Sequence, residues 1–236
     1  MKILDLLYKV YIIVVFIPLF VPLTLLTAFV SAVGCIVGGE RIFSYWPGKI
    51  WSILTLYLLL CPVNVTGREN LPKNRCSIVT PNHTSALDIF LLYGYLGVRF
   101  KWVMKGSLRK LPFVGWACEK CGFIFVTHTP EGAIHVIEDT TSAIRKGYHI
   151  FIFPEGSRTK DGQLGPFRKG AFRVATDTRT PIVPVKIIGG YEAYSRYDIF
   201  PRPKKLTVKI LPSIDTEKVS DHLALMKMTR QVILDA

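Results

Sequence analysis

The sequence predicts an α/β domain with a mostly parallel sheet flanked by helices, preceded by an N-terminal pair of membrane-associated helices. From about residue 62 onwards, apolar runs of strand length alternate with segments of helical spacing, which is typical of a largely parallel sheet. Before that point the chain contains two long uncharged runs, residues 10–39 and 50–67. The predicted division is therefore membrane-anchoring helices at 1–61 and an α/β domain at 62–236.

The first uncharged run, residues 10–39, is long enough to cross a bilayer, because about 20 apolar residues span the hydrocarbon core. Pro18 and Pro22 are expected to kink this helix, since proline removes a helix donor and clashes with the preceding turn. A cleaved signal peptide, with AVGC as a lipoprotein-like cleavage box, is the alternative. The run exceeds the usual signal core and Asp5 interrupts its basic start, so a retained anchor is favoured.

The second uncharged run contains IWSILTLYLLLCP, which is short for a membrane span. It predicts a helix that is buried in one leaflet or packed against the domain. The two runs are joined by GGERIFSYWPGK, a predicted turn in which Tyr45 and Trp46 are candidate anchors at the membrane interface.

The remaining elements follow from apolar periodicity and from the prolines and glycines that separate the periodic segments. Predicted strands lie in VNVT, CSIVTP, FKWVMK, FIFV, YHIFIF, PIVPVKII and KLTVKIL. Predicted helices lie in SALDIFLLYGYL, SLRKLPFVGWACEKCG with a break at Pro112, PEGAIHVIEDTTSAIRKG, GAFRVATDT and the C-terminal DTEKVSDHLALMKMTRQVILDA.

The composition favours a membrane surface as a partner of this chain. Lysine and arginine number 30 against 17 acidic residues, the net charge is +13, and 50% of the residues are hydrophobic. Excess positive charge suits nucleic acid, anionic lipid or acidic substrates, but nucleic-acid binding gives no reason for long uncharged segments. A non-enzymatic basic module for membranes or nucleic acid is the alternative, and it leaves the polar motifs described below unexplained.

The five cysteines predict neither a disulfide framework nor a metal centre. Their number is odd, and Cys35 and Cys61 lie in apolar segments. Cys118 and Cys121 form a lone CxxC, whereas zinc takes about four ligands. We therefore interpret this pair as two small apolar side chains on a helix.

Three polar motifs directly follow predicted strands: PNHTSALD, KGSLRKLPFVG and PEGSRT. Ligands bind beyond the carboxyl ends of the strands in parallel sheets, so these motifs are expected to meet at one rim. The candidate site residues on that rim are His83, Asp88, Lys105, Glu155 and Arg158.

His83 and Asp88 allow two interpretations. Ser85 with Asp88 fits a capping box, in which Asp88 only satisfies backbone donors and His83 is an ordinary loop residue. Alternatively, His83 precedes the helix and Asp88 reaches back to its imidazole, as in a Ser-His-Asp triad with a substrate hydroxyl in place of the serine. The second interpretation needs His83 outside the helix, because five residues along a helix turn by about 500°.

Four blocks of the sequence resemble, in order, the motifs of the glycerolipid acyltransferases. NHTSALD matches their N-H-x-x-x-x-D block, and FPEGSRT matches their F-P-E-G-x-R block. KGSLRKLPFVGWACEKCGFIFV resembles the second block and PIVPVKI the fourth. The blocks cover about residues 80–188, and within that family the chain is similar to the 1-acylglycerol-3-phosphate acyltransferases.

The resemblance implies an O-acyltransferase. It would move a fatty acyl group from an acyl carrier protein or coenzyme A thioester to the sn-2 hydroxyl of 1-acylglycerol-3-phosphate, giving phosphatidic acid. His83 would remove the proton from this hydroxyl and Asp88 would orient the imidazole. Neither a covalent acyl-enzyme nor a metal or cofactor is implied, since the acyl thioester is itself a substrate.

The resemblance also implies an acceptor site formed by Glu155, Gly156 and Arg158, with Arg158 on the phosphate because a planar guanidinium suits that group. Lys105 is a second candidate for the phosphate. The implied partners are lysophosphatidate, membrane phospholipids and the acyl donor, and no nucleic acid. The implied location is a membrane, with the catalytic domain on the cytoplasmic face.

One position departs from the family pattern. Many members have an arginine after the strand of the second block, whereas GFIFVTH places His128 there. If that arginine contacts the acceptor headgroup, recognition by this chain is weaker, pH-dependent or supplied by another residue. The same chemistry on a different lysophospholipid is therefore the alternative function.

Overall fold

A computed structural model describes residues 2–127, 129–219 and 221–236, and the predicted fold class is confirmed. Seven strands form one sheet among these residues. The strands are Val63–Thr66 (β1), Ile78–Pro81 (β2), Phe100–Lys105 (β3), Ile124–Val126 (β4), His149–Phe151 (β5), Ile182–Ile188 (β6) and Leu206–Ile210 (β7).

The helices surround this sheet and precede it. The α-helices in the described ranges are Lys2–Tyr11 (α1), Ile17–Ile36 (α2), Glu40–Phe43 (α3), Trp46–Leu58 (α4), Leu87–Tyr95 (α5), Val114–Lys120 (α6), Pro130–Arg145 (α7), Gly170–Asp177 (α8), Gly190–Tyr194 (α9) and His222–Asp235 (α10). A π-helical segment, Ile12–Phe16, joins α1 to α2, and short 3-10 turns occur at Arg68–Asn70 and Gly106–Lys110. Each strand and helix predicted after residue 62 is present, whereas the sequence does not predict α3 or α9.

Strand β2 lies in the middle of the sheet, so its carboxyl end is at the centre of one sheet edge. The strand order is β1-β7-β6-β2-β5-β3-β4, and neighbouring strands are parallel except for the antiparallel pair β6 and β7. Strands β2 to β6 therefore point the same way, and their carboxyl ends share one edge. The motifs that follow β2, β3 and β5 all leave the sheet at that edge, where ligands bind in open sheets of this kind.

Alternating side chains of the central strands enter two separate cores. Val79 and Phe151 face the core under α4 and α5, whereas Ile78 and Ile150 face the core under α7, α8 and α10. All four side chains are fully buried, as expected for strands covered on both faces. The sheet is therefore the rigid platform on which the loops at its carboxyl edge rest.

Residues 2–36 form one long helical segment. Ile3–Ile36 is the one segment of the described chain that is long and apolar enough, by length and composition, to cross a membrane, and 17% of its most apolar window is buried. Helical geometry continues through Pro18 and Pro22 without a break. In an α-helix the ring of Pro18 would clash with the carbonyl four residues earlier, and here that carbonyl lies in the π segment. The predicted kink stays a prediction.

Two tyrosines of α1 bind the C-terminal end of α4. Tyr8 Oη donates a hydrogen bond to the Leu59 carbonyl at 2.9 Å, and Tyr11 Oη donates one to the Leu58 carbonyl at 2.8 Å. The last carbonyls of a helix have no partner within it. The tyrosines therefore satisfy groups that would be costly to leave unpaired in an apolar environment.

Helix α4 packs against the domain, which is one of the two arrangements predicted for the second uncharged run. A Cβ built on Gly48 would lie 2.4 Å from the ring of Tyr93 in α5, so only glycine permits this approach. The prediction that Tyr45 anchors the membrane interface is wrong. Tyr45 is 4% exposed and stacks on Tyr93 with ring centroids 6.1 Å apart, because α3 turns it back into the core. Trp46, by contrast, is 49% exposed.

A buried lysine connects the N-terminal helices to the sheet. Lys101 in β3 is 2% exposed, and its ammonium donates hydrogen bonds to the Glu40 carboxylate at 2.8 Å and to the Cys121 carbonyl. It also lies 4.2 Å from the centre of the Tyr148 ring. A buried charge needs such partners to remain ionised. The sequence motif FKWVMK gives no sign that its first lysine is interior.

The CxxC pair has the helical setting predicted for it. Cys118 lies in α6 and Cys121 follows the last residue of that helix. Burial raises the pKa of the Cys118 thiol to about 11 and raises the pKa of Cys121 further. A thiol that is protonated at neutral pH is a poor nucleophile and metal ligand, which supports an apolar packing role for both side chains.

His149 is a neutral histidine at the edge of the sheet opposite to the candidate site. Its Nδ1 lies 2.8 Å from Ser77 Oγ and accepts a hydrogen bond from the Ser77 backbone N–H at 3.2 Å. Burial lowers the pKa of His149 to about 4. Because the folded state excludes the proton down to that pH, the shifted pKa of His149 costs no stability above about pH 6.5, where the unfolded imidazole is also neutral, and costs stability below it.

We expect His149 to destabilise the protein in acid. As pH falls from about 6.5 towards 4, the unfolded chain binds a proton that the folded chain excludes, which lowers the free energy of unfolding by about 3 kcal/mol. His149→Gln should flatten this part of a pH series of denaturant unfolding curves in detergent. His222→Gln, on α10, is the control. A His149→Gln slope equal to that of the unaltered protein would contradict the assignment.

Candidate active site

The loop after β2 is fixed to the neighbouring strand β6 by an asparagine. Asn82 Nδ2 donates to the Ile187 carbonyl at 3.0 Å, and Asn82 Oδ1 accepts from the Ile187 N–H at 2.6 Å. This paired contact resembles one more step of the β2–β6 ladder. It holds the chain in place where β2 ends and His83 begins the loop.

His83 and Asp88 are in direct contact. His83 lies in the loop before α5, and its Nδ1 is 2.9 Å from Asp88 Oδ2 in the first turn of that helix. Asp88 is fully buried. Since an ionised carboxylate only accepts hydrogen bonds, Nδ1 carries the proton and Nε2 keeps a free lone pair.

Asp88 also caps its own helix. Asp88 Oδ2 accepts from the backbone N–H groups of Thr84 at 2.7 Å and Ser85 at 2.8 Å, while Ser85 Oγ accepts from the Leu87 N–H at 3.1 Å. This is the reciprocal pattern of a capping box. The two interpretations of the motif are thus compatible, because the same carboxylate oxygen binds the helix terminus and the imidazole.

Glu155 holds the backbone of His83. Glu155 Oε1 accepts from the His83 N–H at 2.7 Å, and Oε2 accepts from the Gly165 N–H at 2.9 Å. The His83 carbonyl in turn accepts from the Thr159 N–H at 2.8 Å. Burial raises the pKa of the Glu155 carboxyl, and the two backbone donors oppose that shift. Both Glu155 oxygens therefore have backbone partners, and the acceptor contact predicted for this residue stays a prediction.

The imidazole of His83 is held flat against an aromatic ring. Its centroid lies 3.8 Å from that of Phe153 at an interplanar angle of 17°, and Phe153 stacks on Trp102 at 5.6 Å and 14°. The His83 side chain remains 14% exposed. The ring is therefore fixed in orientation while part of it stays accessible, as a base that meets its substrate from the rim requires.

A glycine that the sequence analysis does not identify lies against Asp88. A Cβ built on Gly190 would be 2.8 Å from Asp88 Oδ1 and 2.6 Å from Thr84 Oγ1. Among the described residues, Asp88 Oδ1 has no hydrogen-bond partner. The carbonyl of Tyr194 in the same short helix accepts from Ser85 Oγ at 2.7 Å. The glycine pair at 189–190, directly after β6, is the sequence signal that could have drawn attention to this approach.

The loop after β5 brings a group of arginines to the rim. Arg158 is half-buried, and its carbonyl accepts a hydrogen bond from Arg196 Nη1 at 3.3 Å. Gly156 has a φ of 72°, and a Cβ there would lie 2.7 Å from Arg168 Nε. The predicted site residues Gly156 and Arg158 thus neighbour two further arginines, Arg168 and Arg196, which the motifs do not single out.

The last two predicted site residues have different outcomes. Lys105 is the final residue of β3, is exposed, and lies at the same sheet edge as the other motifs. Strand β5 separates β3 from β2, so the two strand ends are about 10 Å apart. His128 lies outside the described residues.

Taken together, these residues can act as a general base next to a site that binds an anion. A histidine with a free Nε2 and a buried carboxylate on Nδ1 can accept a proton and hold the resulting positive charge. The arginines of the neighbouring loop can bind a phosphate or another anion.

Comparisons with known proteins identify relatives of this chain by sequence and by fold. The family model described as Acyltransferase matches residues 62–188. A chloroplastic 1-acyl-sn-glycerol-3-phosphate acyltransferase of Brassica napus is 35% identical over 152 residues, which are 64% of this chain and 44% of that protein. A 1-acyl-sn-glycerol-3-phosphate acyltransferase of Borreliella burgdorferi is 31% identical over 170 residues, 72% of this chain and 68% of that protein.

The fold of the whole chain also has a counterpart among solved structures. The crystal structure of the 1-acyl-sn-glycerophosphate acyltransferase of Thermotoga maritima superimposes with a TM-score of 0.77 and 27% sequence identity. The match covers 98% of this chain and 94% of that one, so it includes the N-terminal helices. The chain spans less than half the length of the Brassica napus protein.

Proposed function

Because the chain belongs to the acyltransferase family, we propose that it moves a fatty acyl group from an acyl carrier protein or coenzyme A thioester to the sn-2 hydroxyl of 1-acylglycerol-3-phosphate, giving phosphatidic acid. The observation that supports this most directly is the 2.9 Å contact between His83 and Asp88 beside the loop that contains Arg158. The names of the relatives and of the matching crystal structure support the acceptor.

In the proposed mechanism His83 is the general base. Its Nε2 takes the proton of the acceptor hydroxyl as the oxygen forms a bond to the thioester carbonyl carbon, and Asp88 stabilises the imidazolium. When the tetrahedral intermediate collapses, the C–S bond breaks and the imidazolium returns the proton to the leaving thiolate. A positioned base contributes about 10²–10⁴-fold to such a step. No acyl-enzyme and no cofactor is part of this scheme.

We propose that Glu155 positions the base and that the arginines bind the acceptor. The Glu155 carboxylate fixes the His83 backbone, so its removal would displace the imidazole by changing the loop. Arg158, with Lys105 as a second cation, is proposed for the acceptor phosphate. Gly156 permits the tight turn between Glu155 and Arg158, since its φ of 72° disfavours other residues.

The proposed location is a membrane, with the domain 62–236 on the cytoplasmic face and residues 1–61 as its anchor. Helix α2 packs on the domain through buried Ala28 and Ala32, whereas Leu25 and Phe29 are exposed. A helix that rests on the domain along its side fits insertion into one leaflet better than a perpendicular span. The basic surface suits the anionic cytoplasmic leaflet.

The function is tested with purified protein, a labelled acyl thioester and a panel of lysophospholipids. Transfer to lysophosphatidate that exceeds transfer to the other acceptors is the expected result. A clear preference for another headgroup would favour the alternative function, which the histidine at position 128 motivates. Comparing acyl carrier protein with coenzyme A thioesters identifies the donor.

Arg158→Lys is expected to raise the KM for lysophosphatidate by about tenfold or more, with a much smaller effect on the thioester KM. Lysine keeps the charge but loses the two parallel N–H bonds that a guanidinium makes to phosphate. Arg173→Lys on α8, 61% exposed, is the matched control. An effect confined to the thioester KM would assign Arg158 to the donor instead.

The companion change is His128→Arg. If this histidine has replaced a phosphate-binding arginine, the variant should keep or improve acceptor binding and flatten its decline between about pH 6 and 8, because an ordinary imidazole loses its charge in this range. An unchanged acceptor KM and pH profile would place His128 outside the acceptor site.

A further inference from the structure

Residues 106–116, named here the docking loop, expose several large apolar side chains next to the candidate active site. The exposed fractions are 40% for Leu108, 47% for Leu111, 65% for Phe113 and 38% for Trp116. The loop follows β3 directly, so it leaves the sheet at the edge that carries the candidate site. Several large apolar side chains exposed on one short segment indicate a candidate binding surface.

The backbone of the docking loop is tightly held, so the exposure is not a consequence of a loose loop. A Cβ built on Gly115 would lie 2.2 Å from the Arg109 carbonyl oxygen, and one on Gly106 would lie 2.8 Å from the Val126 carbonyl. The Val114 N–H donates to the Pro112 carbonyl at 2.6 Å across a γ-turn.

Phe113 is the central residue of this γ-turn. Its φ of 59° is rare and strained for a bulky residue, and its ring points outward rather than into a core that would compensate for the strain. The turn thus presents an aromatic ring at its apex.

The docking loop continues the apolar surface of the N-terminal helix. Helix α6, whose first turn belongs to the docking loop, packs on α2 through Ala117 against Ala28 and Ala32. Cys121 Sγ lies 3.8 Å from Cys35 Sγ near the end of α2. Helix α2 is the larger part of Ile3–Ile36, the segment long and apolar enough to cross a membrane, so a loop fixed to its side would meet a bilayer that this segment enters.

The charges around the patch match an anionic lipid surface. Residues 105–120 contain four basic side chains and one acidic side chain. Arg109 lies over the ring of Phe125 at 4.7 Å, with Glu119 3.9 Å away, and Lys110 is exposed beside it. Basic groups around inserted aromatic and aliphatic side chains are typical of segments that lie in a membrane interface. A second copy of this chain carries the same charge of +13 and would be repelled.

We propose that the docking loop inserts Leu111 and Phe113 into the surface of an anionic bilayer beside the active site. This inference rests on the proposed membrane placement of the N-terminal helices and adds an element from the catalytic domain itself. It fixes a second edge of the enzyme against the membrane. The loop then holds the end of β3, with Lys105, at the level of the lipid headgroups.

Depth-dependent fluorescence quenching tests the proposal. The full-length Phe113→Trp variant and the matched Leu223→Trp variant are reconstituted into phosphatidylethanolamine vesicles that contain phosphatidylglycerol and lipids with brominated acyl chains. Leu223 is 45% exposed, on α10 at the other face of the sheet. The emission added at position 113 should be quenched, and the emission added at position 223 should not.

A second pair of variants tests the consequence for activity. Phe113→Asp should lower kcat/KM for vesicle-embedded acceptor about tenfold, since it removes one inserted aromatic side chain, and it should leave transfer in detergent micelles unchanged. Leu223→Asp should change neither.

Three outcomes would overturn the inference. Unquenched emission at position 113 in protein that still floats with the vesicles would remove the docking loop from the bilayer while leaving the proposed function intact. A Phe113→Asp effect limited to one acyl donor would assign the patch to the donor carrier. Wild-type protein that does not float with vesicles would refute the membrane placement as well.

Discussion

His83→Ala is expected to abolish acyl transfer, with a loss of about 10³-fold or more. The substitution removes the only group placed to take the hydroxyl proton in the proposed mechanism, and a positioned base alone is worth about 10²–10⁴-fold. The backbone contacts of residue 83 with Glu155 and Thr159 do not involve its side chain, so the loop should keep its shape. The measurement is steady-state transfer with folding checked by circular dichroism.

His135→Ala is the matched control for this experiment. His135 lies on α7, and its side chain is 74% exposed. This variant should retain full activity. Both variants should still associate with membranes. Near-normal transfer by folded His83→Ala protein would refute the general-base proposal, whatever the identity of the acceptor.

Asp88→Asn is expected to lower the rate by about 10²–10⁴-fold while the protein stays folded. The amide oxygen can replace Asp88 Oδ2 and keep the hydrogen bonds from His83, Thr84 and Ser85. The NH₂ group then occupies the position of Oδ1, next to Gly190. A neutral amide cannot stabilise the imidazolium that forms during the reaction, so the rate falls although the helix cap survives.

Ser85→Ala separates capping from catalysis. This change removes the hydrogen bond that the Leu87 N–H donates to Ser85 Oγ and the one that Ser85 Oγ donates to the Tyr194 carbonyl. It leaves the Asp88 carboxylate, which contacts the His83 imidazole, unchanged. We expect it to lower the free energy of unfolding by about 0.5–2 kcal/mol with little loss of specific activity. If Asp88→Asn behaved like Ser85→Ala, Asp88 would be only a capping residue.

The sequence predicts the elements of the domain well because local signals agree with the final fold. Buried strands such as Ile78–Pro81 are short apolar runs bounded by polar motifs, and helix α7 begins at Pro130 after a threonine whose hydroxyl caps it. The positions of the motifs follow from the rule that the carboxyl ends of parallel strands lie at the same edge of the sheet. Each of these predictions concerns a segment of about ten residues, and the residues within that segment are enough to make it.

What the sequence does not predict depends on contacts between distant segments. The approach of Gly190 to Asp88 joins positions about 100 residues apart, and neither residue type reveals it alone. The burial of Lys101 depends on Glu40, which comes from the N-terminal region. Tyr45 has the composition of an interface anchor, but the turn of α3 decides that it faces the core.

The π-turn at Ile12–Phe16 makes the N-terminal helix respond differently to a change of length at different places. A π-turn is equivalent to one extra residue inserted into an α-helix. The wider turn absorbs this residue, so deleting one residue there would restore α-helical winding and leave α1 in phase with α2. A deletion in the α-helical residues that follow would instead rotate α1 by about 100° relative to the rest of α2. Tyr8 and Tyr11 would then swing away from the carbonyls of α4 that they now bind. Outside the π-turn the helix therefore tolerates exchange of one apolar residue for another far better than the gain or loss of one, so its rotational phase, and not its hydrophobicity alone, is under constraint.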